Sequence, residues 1–420
     1  MDKAGHVFRW LLILALLASA VILLLRTEYF SPSLRELAQE PQPWNTPDPG
    51  ETEALDTLYP ISVLVSFPDG QRLALSRDGQ TVRPAFFSYS ALLGEALGSS
   101  DPPQAITEGS YQSGIENGCI YLDLGFSCPL RLLSDWLGAG PGGLGNGDAA
   151  ERLYLGLEGD GVSLSFRDRE GNCFRCTSAV QPETLLARMA EFQGEEASFA
   201  YENSALTGVD PYLILTGGAP EKREAELSVG RDAADLDTLA EAMGINSRMA
   251  SSYFDADNTL VLKEDERTLR LDREGWATYR LSPGSADPER LGLTAAVRMA
   301  AKLASGAAKS MGGDALVRFA GAETGESETY TVRFDYCLSG LPVLQESDHA
   351  VTVTVRNGVI LQARVALRSY RLTDRPETAV LPPLLAAAAA AGRGGGAPEL
   401  AYYDATGAVR CGWIDKRGTL

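Results

Sequence analysis

The chain has 420 residues, of which 37 are Lys or Arg and 56 are Asp or Glu, giving a formal net charge of −19. No block of basic residues offsets this charge, which argues against nucleic acids, wall polymers and anionic membrane surfaces as partners. The length and the 45% apolar content suit two or three domains. Two histidines, His6 and His349, are all that is available for imidazole catalysis near neutral pH.

An apolar run lies close to the start of the chain. Residues 10–25, WLLILALLASAVILLL, carry no charge and are followed by Arg26. As a helix they span roughly 24 Å, and the apolar residues before them bring the run close to the ~30 Å hydrocarbon core of a bilayer. Ala18, Ser19 and Ala20 resemble a signal-peptide cleavage site, but cleavage there would leave five apolar residues in water. A retained anchor is therefore favoured over a cleaved signal.

The sequence thus predicts a single-pass protein of the cell membrane. Residues 1–9 form a cytoplasmic N-terminus, residues 10–26 form the transmembrane anchor, and the bulk of the chain is extracellular. Ala15 and Ser19 are four residues apart on one helical face, where small side chains would let another helix approach closely; the alternative is ordinary anchor composition. The candidate anchor and helix-packing residues are Trp10, Ala15, Ala18, Ser19, Ala20 and Arg26.

A proline-rich stalk and a first folded unit follow the anchor. Residues 27–57 contain five prolines among polar residues, which favours an extended segment. The first unit, an α+β domain at 58–195, begins with a hairpin that turns at Pro68, Asp69 and Gly70. Its predicted strands are 61–67, 72–76, 119–126, 153–157, 162–166 and 173–180, and its predicted helices are 86–97, 129–138 and 184–192.

Two further units repeat one plan, a helix followed by antiparallel strands that turn at Asp-Gly or Asn-Gly. The middle domain, 196–285, has predicted strands at 212–216, 226–229, 259–263, 268–271 and 276–281 and a helix at 235–243. The C-terminal domain, 286–420, has helices at 291–309 and 381–391 and strands at 316–319, 329–337, 350–356, 360–370 and 399–404. This pattern predicts an α+β fold in which helices cover one face of antiparallel sheets.

Motifs with chemical meaning are few, and each has a more ordinary interpretation. Cys173 and Cys176 form a lone C-x-x-C at the start of a strand, where no second pair completes a zinc site and no helix stabilises a thiolate. With six cysteines outside the membrane, 15 complete disulfide pairings are open. The G-x-G-x-x-G run at 138–143 follows a helix instead of a strand, which favours a flexible loop.

Two more candidates concern metal binding and catalysis. Asp255, Asp257 and Glu266 occupy positions of a calcium loop, but Leu260 stands where such a loop needs glycine. His349 lies in a polar connector and has no nucleophile assigned to it. The sequence therefore assigns no catalytic, cofactor-binding or metal-ligating residue, and we expect a protein that is not an enzyme.

Three segments resemble the YycH/YycI family when they are taken in order behind one N-terminal anchor. The first contains the phrases YCLSGLPV at 336–343, VTVRNGVI at 353–360 and RSY at 368–370. The second, at 239–281, is a helix followed by turn-linked strands, and the third, at 399–414, contains Trp413 without the proline typical of the family. The family comprises membrane-anchored extracytoplasmic regulators of the wall-metabolism sensor kinase WalK, or YycG, in low-GC Gram-positive bacteria.

The resemblance implies a regulator that modulates a two-component sensor histidine kinase through protein contacts. Its implied partners are that kinase and a second YycH/YycI-like single-pass protein, with no cofactor. The implied fold is a series of PepSY/YycI-like helix-plus-sheet units. The alternative is a PepSY-like extracytoplasmic module that binds or inhibits a wall hydrolase or protease. The sign of the effect on the kinase and any sensed ligand stay open.

Overall fold

The strands pair antiparallel and form two large sheets and two smaller ones. The computed structural model describes residues 57–75, 79–140, 142–282, 291–345, 349–405, 408–415 and 418–419. Within these residues there are two nine-stranded sheets, a five-stranded sheet and a two-stranded ribbon. This confirms the predicted α+β class with antiparallel sheets. The predicted cytoplasmic N-terminus, the anchor and all but the last residue of the stalk lie outside the described residues. No helix of the described part of the chain is both long and apolar enough to cross a bilayer.

The elements are numbered in chain order. The helices of the described residues are α1 (Gly79–Ser99), α2 (Glu108–Glu116), α3 (Leu130–Trp136), α4 (Pro182–Ala190), α5 (Leu236–Ala242), α6 (Leu293–Ser310) and α7 (Pro383–Gly392). The first strands are β1 (Ser62–Ser66), β2 (Arg72–Leu75), β3 (Gln104–Ile106), β4 (Cys119–Pro129), β5 (Ala149–Glu158), β6 (Gly161–Arg167), β7 (Cys173–Ser178), β8 (Glu195–Phe199) and β9 (Ile214–Thr216). The later strands are β10 (Glu221–Lys222), β11 (Ala225–Val229), β12 (Ser251–Phe254), β13 (Leu260–Glu264), β14 (Arg267–Leu271), β15 (Trp276–Leu281), β16 (Leu316–Thr324), β17 (Thr329–Leu338), β18 (Leu341–Pro342), β19 (Val351–Arg356), β20 (Val359–Ala366), β21 (Arg368–Leu372), β22 (Thr378–Ala379), β23 (Glu399–Ala405), β24 (Ala408–Asp415) and β25 (Gly418–Thr419).

The first nine-stranded sheet is covered on both faces. Its order is β3-β7-β6-β5-β4-β1-β2-β8-β9. Val63 and Val65 point into the core that contains Leu92 of α1, whereas Leu64 points into a second cluster with Ile115 of α2. The sequence pattern predicted helices on one face of each sheet and gave no helix at α2. Two buried faces explain why β1 and β4 are apolar almost without alternation.

A buried arginine holds the segment after β8 against this sheet. Arg152 of β5 donates from Nη1 to Oδ1 of Asp210 at 3.0 Å and from Nη2 to Oδ2 of the same carboxylate. Its Nε lies 3.8 Å from Oδ2 of Asp123, and its guanidinium lies 5.5 Å from the ring centroid of Tyr212. Removal of one partner from a buried pair of this kind costs roughly 3–5 kcal/mol, because the other charge is left unpaired.

The second nine-stranded sheet joins strands from the predicted middle and C-terminal domains. Its order is β12-β13-β14-β15-β20-β19-β17-β16, with β18 paired to β17. β15 pairs antiparallel with β20 over five positions, from Trp276 opposite Ala366 to Arg280 opposite Gln362. The boundaries at 195/196 and 285/286 stay predictions, but the strands on either side of the second one belong to one sheet.

Helix α6 covers the inner face of the second sheet. Five of its eight buried residues are alanine, including Ala300 and Ala304, so the helix can approach β17, β19 and β20 closely. The contact with α5 is also tight, since a Cβ built on Gly306 would lie 2.8 Å from the Cβ of Ala242. Ala-rich composition, which raises helix propensity, here also sets the distance between the helix and the sheet.

The five-stranded sheet has the order β21-β11-β24-β23, and β25 pairs with β24. Strand β24 has 8 residues and pairs with β23 from Glu399 opposite Ile414 to Ala405 opposite Ala408.

The strand predicted at 360–370 is two strands in two different sheets. β20 belongs to the second nine-stranded sheet and β21 to the five-stranded sheet. The chain crosses between them at Leu367, which is fully buried and whose N–H donates to the carbonyl of Gly275 at 2.7 Å. An apolar run is as suitable for a crossing between two buried sheet edges as for one long strand, so its periodicity did not show the break.

The close packing of α6 gives a stability prediction. We expect Ala300→Leu to lower the free energy of unfolding by about 1–3 kcal/mol, because the added isopropyl group has no space between helix and sheet. Lys302→Leu, on the exposed side of the same helix, should change it by less than about 0.5 kcal/mol. Urea denaturation of the full-length protein, followed by circular dichroism, measures both. Equal effects of the two substitutions would contradict the packing described here.

Candidate functional site

The site residues predicted from the sequence all belong to the anchor. Trp10, Ala15, Ala18, Ser19, Ala20 and Arg26 lie outside the described residues. Their role in anchoring and helix packing stays a prediction. Candidate sites within the described part of the chain are therefore built from residues that the sequence analysis did not single out for binding.

The C-x-x-C pair lies within one extended strand. Both cysteines belong to β7, where Cys173 packs into the cluster beneath α2 and Cys176 packs into the main core on the opposite face. Three steps along a strand separate their Cα atoms by roughly 10 Å, beyond the ~7 Å limit for a disulfide. Burial raises the pKa of the Cys176 thiol to about 12 and also raises that of Cys173. The pair therefore has neither the geometry nor the thiolate of a redox motif.

The glycine run follows α3 in the chain, and its residues Gly142 and Gly143 pack against the C-terminal end of α1. Gly142 has φ +54°, and a Cβ there would lie 2.4 Å from the carbonyl oxygen of Leu97. A Cβ on Gly143 would lie 2.4 Å from the backbone nitrogen of Pro102. Glycine is required at these positions because two backbone segments touch, which is a structural role.

The carboxylate and histidine candidates have structural partners. Oδ1 of Asp255 accepts the N–H groups of Asp257 at 3.0 Å and Thr259 at 2.9 Å, closing the turn between β12 and β13. These backbone hydrogen bonds, chiefly that from Thr259, hold the pKa of Asp255 below its ordinary value. Nδ1 of His349 lies 2.8 Å from Oδ1 of Asp335. Asp255 thus organises a hairpin, and His349 pairs with a carboxylate on β17.

An exposed apolar strand forms one end of the second sheet. We call residues 249–254 the β12 edge. All four residues of β12 are exposed, and Met249, Tyr253 and Phe254 have exposed fractions of 75%, 52% and 56%. Arg231 lies over the Phe254 ring, with its Cζ 4.9 Å from the centroid. Among the described strands β12 pairs with β13 alone, so its other side is open. An exposed apolar edge of this kind is a template for the addition of another strand.

The hydrogen-bond pattern shows which amides of β12 point outward. The N–H of Asp255 donates to the carbonyl of Thr259 at 3.1 Å, which makes these two residues a hydrogen-bonded pair. Such pairs alternate with non-hydrogen-bonded pairs along an antiparallel ladder. The register pairs Tyr253 with Val261, so the N–H and C=O groups of Ser252 and Phe254 face the open side.

A second candidate site is a cleft of about 640 Å³ between the second sheet and the five-stranded sheet. We call it the Arg–Trp cleft and define it by Trp276, Arg364, Arg368, Val229 and Leu344. Arg364 lies over the Trp276 ring, with its Cζ 3.7 Å from the ring centroid, and the Cζ of Arg368 lies 6.0 Å from the same ring. The apolar side chains of Val229 and Leu344 have exposed fractions of 49% and 40%. Two cations and an apolar wall thus line one opening.

A third opening, about 800 Å³, lies between α1 and the start of β16. Its lining includes Tyr59, Arg83, Phe87 and Leu316, and the Cζ of Arg83 lies 6.0 Å and 5.8 Å from the two aromatic centroids. The carbonyl oxygen of Thr57, the first described residue, accepts a hydrogen bond from the N–H of Phe319 at 2.8 Å.

Local sequence contained part of the signal for the Arg–Trp cleft. Arg364 and Arg368 lie an even number of residues apart in a predicted strand, and Trp276 begins another. The signal could not show that β15 pairs with β20, nor that the chain changes sheet at Leu367. For the β12 edge, the sequence shows two adjacent aromatic residues, Tyr253 and Phe254, but their exposure depends on where the sheet ends.

Comparison with known proteins shows a likeness of fold. The structure of YycH from Bacillus subtilis matches over 88% of this chain and 95% of that chain, with a TM-score of 0.54 and 11% sequence identity. An uncharacterised protein from Eubacterium rectale matches over 46% of this chain and 76% of that chain at 11% identity, with a TM-score of 0.33, too low to indicate a common fold. No protein-family model and no curated protein sequence matches the chain. The prediction of a YycH-like fold is therefore confirmed, and the likeness extends to the fold alone.

The position of the two cysteines on β7 predicts their reactivity. At pH 8 a thiol with a pKa of about 12, as for Cys176, is roughly one part in ten thousand thiolate. We expect iodoacetamide to modify Cys176 in the folded full-length protein at least about a hundredfold more slowly than in urea. Peptide mapping by mass spectrometry measures this at each cysteine. Recovery of a Cys173–Cys176 disulfide from folded protein treated with oxidised glutathione would contradict the strand geometry.

Proposed function

We propose that this chain is a membrane-anchored extracytoplasmic regulator that modulates a two-component sensor histidine kinase of the WalK/YycG type through protein contacts. The observation that carries the proposal is the YycH-like fold over 88% of the chain. The ordered sequence phrases at 239–281, 336–370 and 399–414 behind an N-terminal apolar run support it independently. A regulator needs an anchor and an ectodomain that binds its partner differently in two states, and it needs no catalytic group.

The engagement of the candidate chemical groups favours a binding role. Asp255 closes a turn, His349 pairs with Asp335, and Cys176 is buried with a raised pKa. Asp255 and Cys176 thus have structural roles, in a turn and in the core. The proposed localisation is the cell membrane, with residues 58–420 outside, in a protein that regulates wall metabolism in a Gram-positive cell.

The β12 edge is the proposed contact surface for a second YycH/YycI-like protein. A partner of this fold type is rich in antiparallel sheet, so it brings strand edges of its own. Strand addition would satisfy the outward amides of Ser252 and Phe254 and bury Tyr253 between the two chains. The anchor, through the face that holds Ala15 and Ser19, is the proposed contact for the kinase. The two contacts are separable by mutation.

This division of contacts predicts two selective losses. Full-length tagged protein captured in mild detergent from its own cells should bring down a histidine kinase and a second single-pass protein, both identified by mass spectrometry. Ser252→Pro removes an outward N–H without breaking the ladder to β13, so capture of the second protein should fall at least about tenfold while the kinase is retained. Replacement of residues 1–26 by an unrelated anchor should lower capture of the kinase at least about tenfold, while the second protein is retained.

Ser252→Ala is the matched control, because it keeps the N–H and changes the side chain alone. It should leave both captures unchanged. If Ser252→Pro retains the second protein, the β12 edge is not the contact. If no kinase is captured by the wild-type protein and a wall hydrolase or protease is, the regulator is rejected and the PepSY-like binding module takes its place.

A further inference from the structure

The strongest unassigned feature is the Arg–Trp cleft, and its chemistry follows from one row of residues across the second sheet. In this row Arg333 lies opposite Thr352, Thr352 opposite Arg364, Arg364 opposite Thr278, and Thr278 opposite Arg270. All five side chains therefore point to the outer face, away from α6. Three arginines lie on one face of a sheet in a chain whose net charge is −19.

The two outer arginines of the row are neutralised within the chain. Arg333 donates from both terminal nitrogens to the carboxylate of Glu323, each at 2.8 Å. Arg270 pairs with the carboxylate of Asp255. The fold thus supplies a carboxylate to each arginine that flanks the centre.

The central arginine is not neutralised. Within the described residues Arg364 contacts Trp276 and no carboxylate. The adjacent Arg368 likewise contacts no carboxylate in the described part of the chain; its Nη1 lies 3.1 Å from the carbonyl oxygen of Gly275 and 3.3 Å from that of Leu367. Among the described residues, the two positive charges of the Arg–Trp cleft therefore contact no carboxylate.

Both guanidinium groups are held in place. A guanidinium stacked on an indole uses its face, so the N–H groups at the edge of Arg364 stay available to an acceptor. The contacts with backbone carbonyls occupy Nη1 of Arg368 and thereby hold its guanidinium group in place. Guanidinium groups fixed in this way are suited to binding an oxyanion through two parallel hydrogen bonds.

The walls of the cleft indicate what the oxyanion is attached to. Val229 and Leu344 are exposed apolar side chains beside the two charges, and Leu227 lies in the same lining. The volume of about 640 Å³ falls in the range of pockets that bind small molecules or short peptide ends. A carboxylate next to an apolar side chain satisfies both parts of this surface.

We propose that the Arg–Trp cleft binds the C-terminal carboxylate of a peptide that ends in an apolar residue. The carboxylate accepts hydrogen bonds from Arg364 and Arg368, and the last side chain packs against Val229 and Leu344. The peptide is either free or the end of a partner protein, since both present the same chemistry. The inference does not depend on the proposed kinase partner.

The test is a calorimetric titration of the full-length protein in an uncharged maltoside detergent. The probe is N-acetyl-alanyl-leucine, and its C-terminal amide is the matched ligand control. We expect saturable binding of the acid and at least tenfold weaker binding of the amide. Arg364→Gln should weaken binding of the acid at least tenfold. Arg364→Lys keeps the charge but loses the paired N–H donors, so its affinity for the acid should lie between those of the wild-type protein and Arg364→Gln.

Arg333→Gln is the matched protein control, because Arg333 lies in the same row and already binds Glu323. It should leave the affinity unchanged, and the melting temperatures of the variants show that each is folded. The proposal is rejected if the acid does not bind saturably, if the amide binds as well, or if Arg364→Gln has no effect. Inorganic phosphate that binds as tightly as the peptide would reject the apolar part of the site. A peptide from the C-terminus of a captured partner that binds more tightly than the free dipeptide identifies the protein source, and equal affinity identifies a free peptide.

Discussion

The backbone pairing of β15 with β20 is the constraint on which the rest of the C-terminal half of the chain depends. It joins a meander of local hairpins, β12 to β15, to strands that lie some eighty residues further along the chain. Side chains alternate with a period of two, so a slip by one residue would exchange the two faces. A slip of β20 by one residue would take Val365 out of the core beneath α6 and bring Arg364 into it. One register therefore specifies both the apolar core and the polar outer face.

The same pairing determines where the sheet ends. Because β20 is the second neighbour of β15, that end of the β12–β15 meander is occupied. Among the described strands, β12 is therefore the terminal strand of the sheet. Natural sheets protect such strands with charge, proline or short length. β12 is short, but Tyr253 and Phe254 carry no charge and are exposed. The strand itself thus contains neither a charged residue nor proline, which is consistent with a surface that another strand covers.

Local patterns predicted most elements, and long-range pairing accounts for what they missed. β15 has the predicted bounds, because Trp276 follows a glycine turn and alternation is clear. Helix α2 was missed because only two of its residues, Tyr111 and Ile115, are buried, which leaves a weak apolar pattern. The N-cap at Thr107 was also not recognised. The break at Leu367 depends on a hydrogen bond to Gly275, ninety residues earlier in the chain. Trp276 and Arg364 meet for the same long-range reason, so the Arg–Trp cleft could not be derived from periodicity.

An unpaired surface arginine is common and inexpensive, because water solvates it well. What distinguishes Arg364 and Arg368 is that contacts with Trp276 and with backbone carbonyls already restrict both side chains. The conformational entropy that an arginine loses on binding has been lost in folding, so a ligand gains more of the hydrogen-bond energy. Arg333 is restricted as well, but a ligand there must first displace Glu323. Arg333 and Arg364 lie in the same row across the sheet and on the same face. They differ in the one property that decides binding, which is whether the fold already supplies a carboxylate.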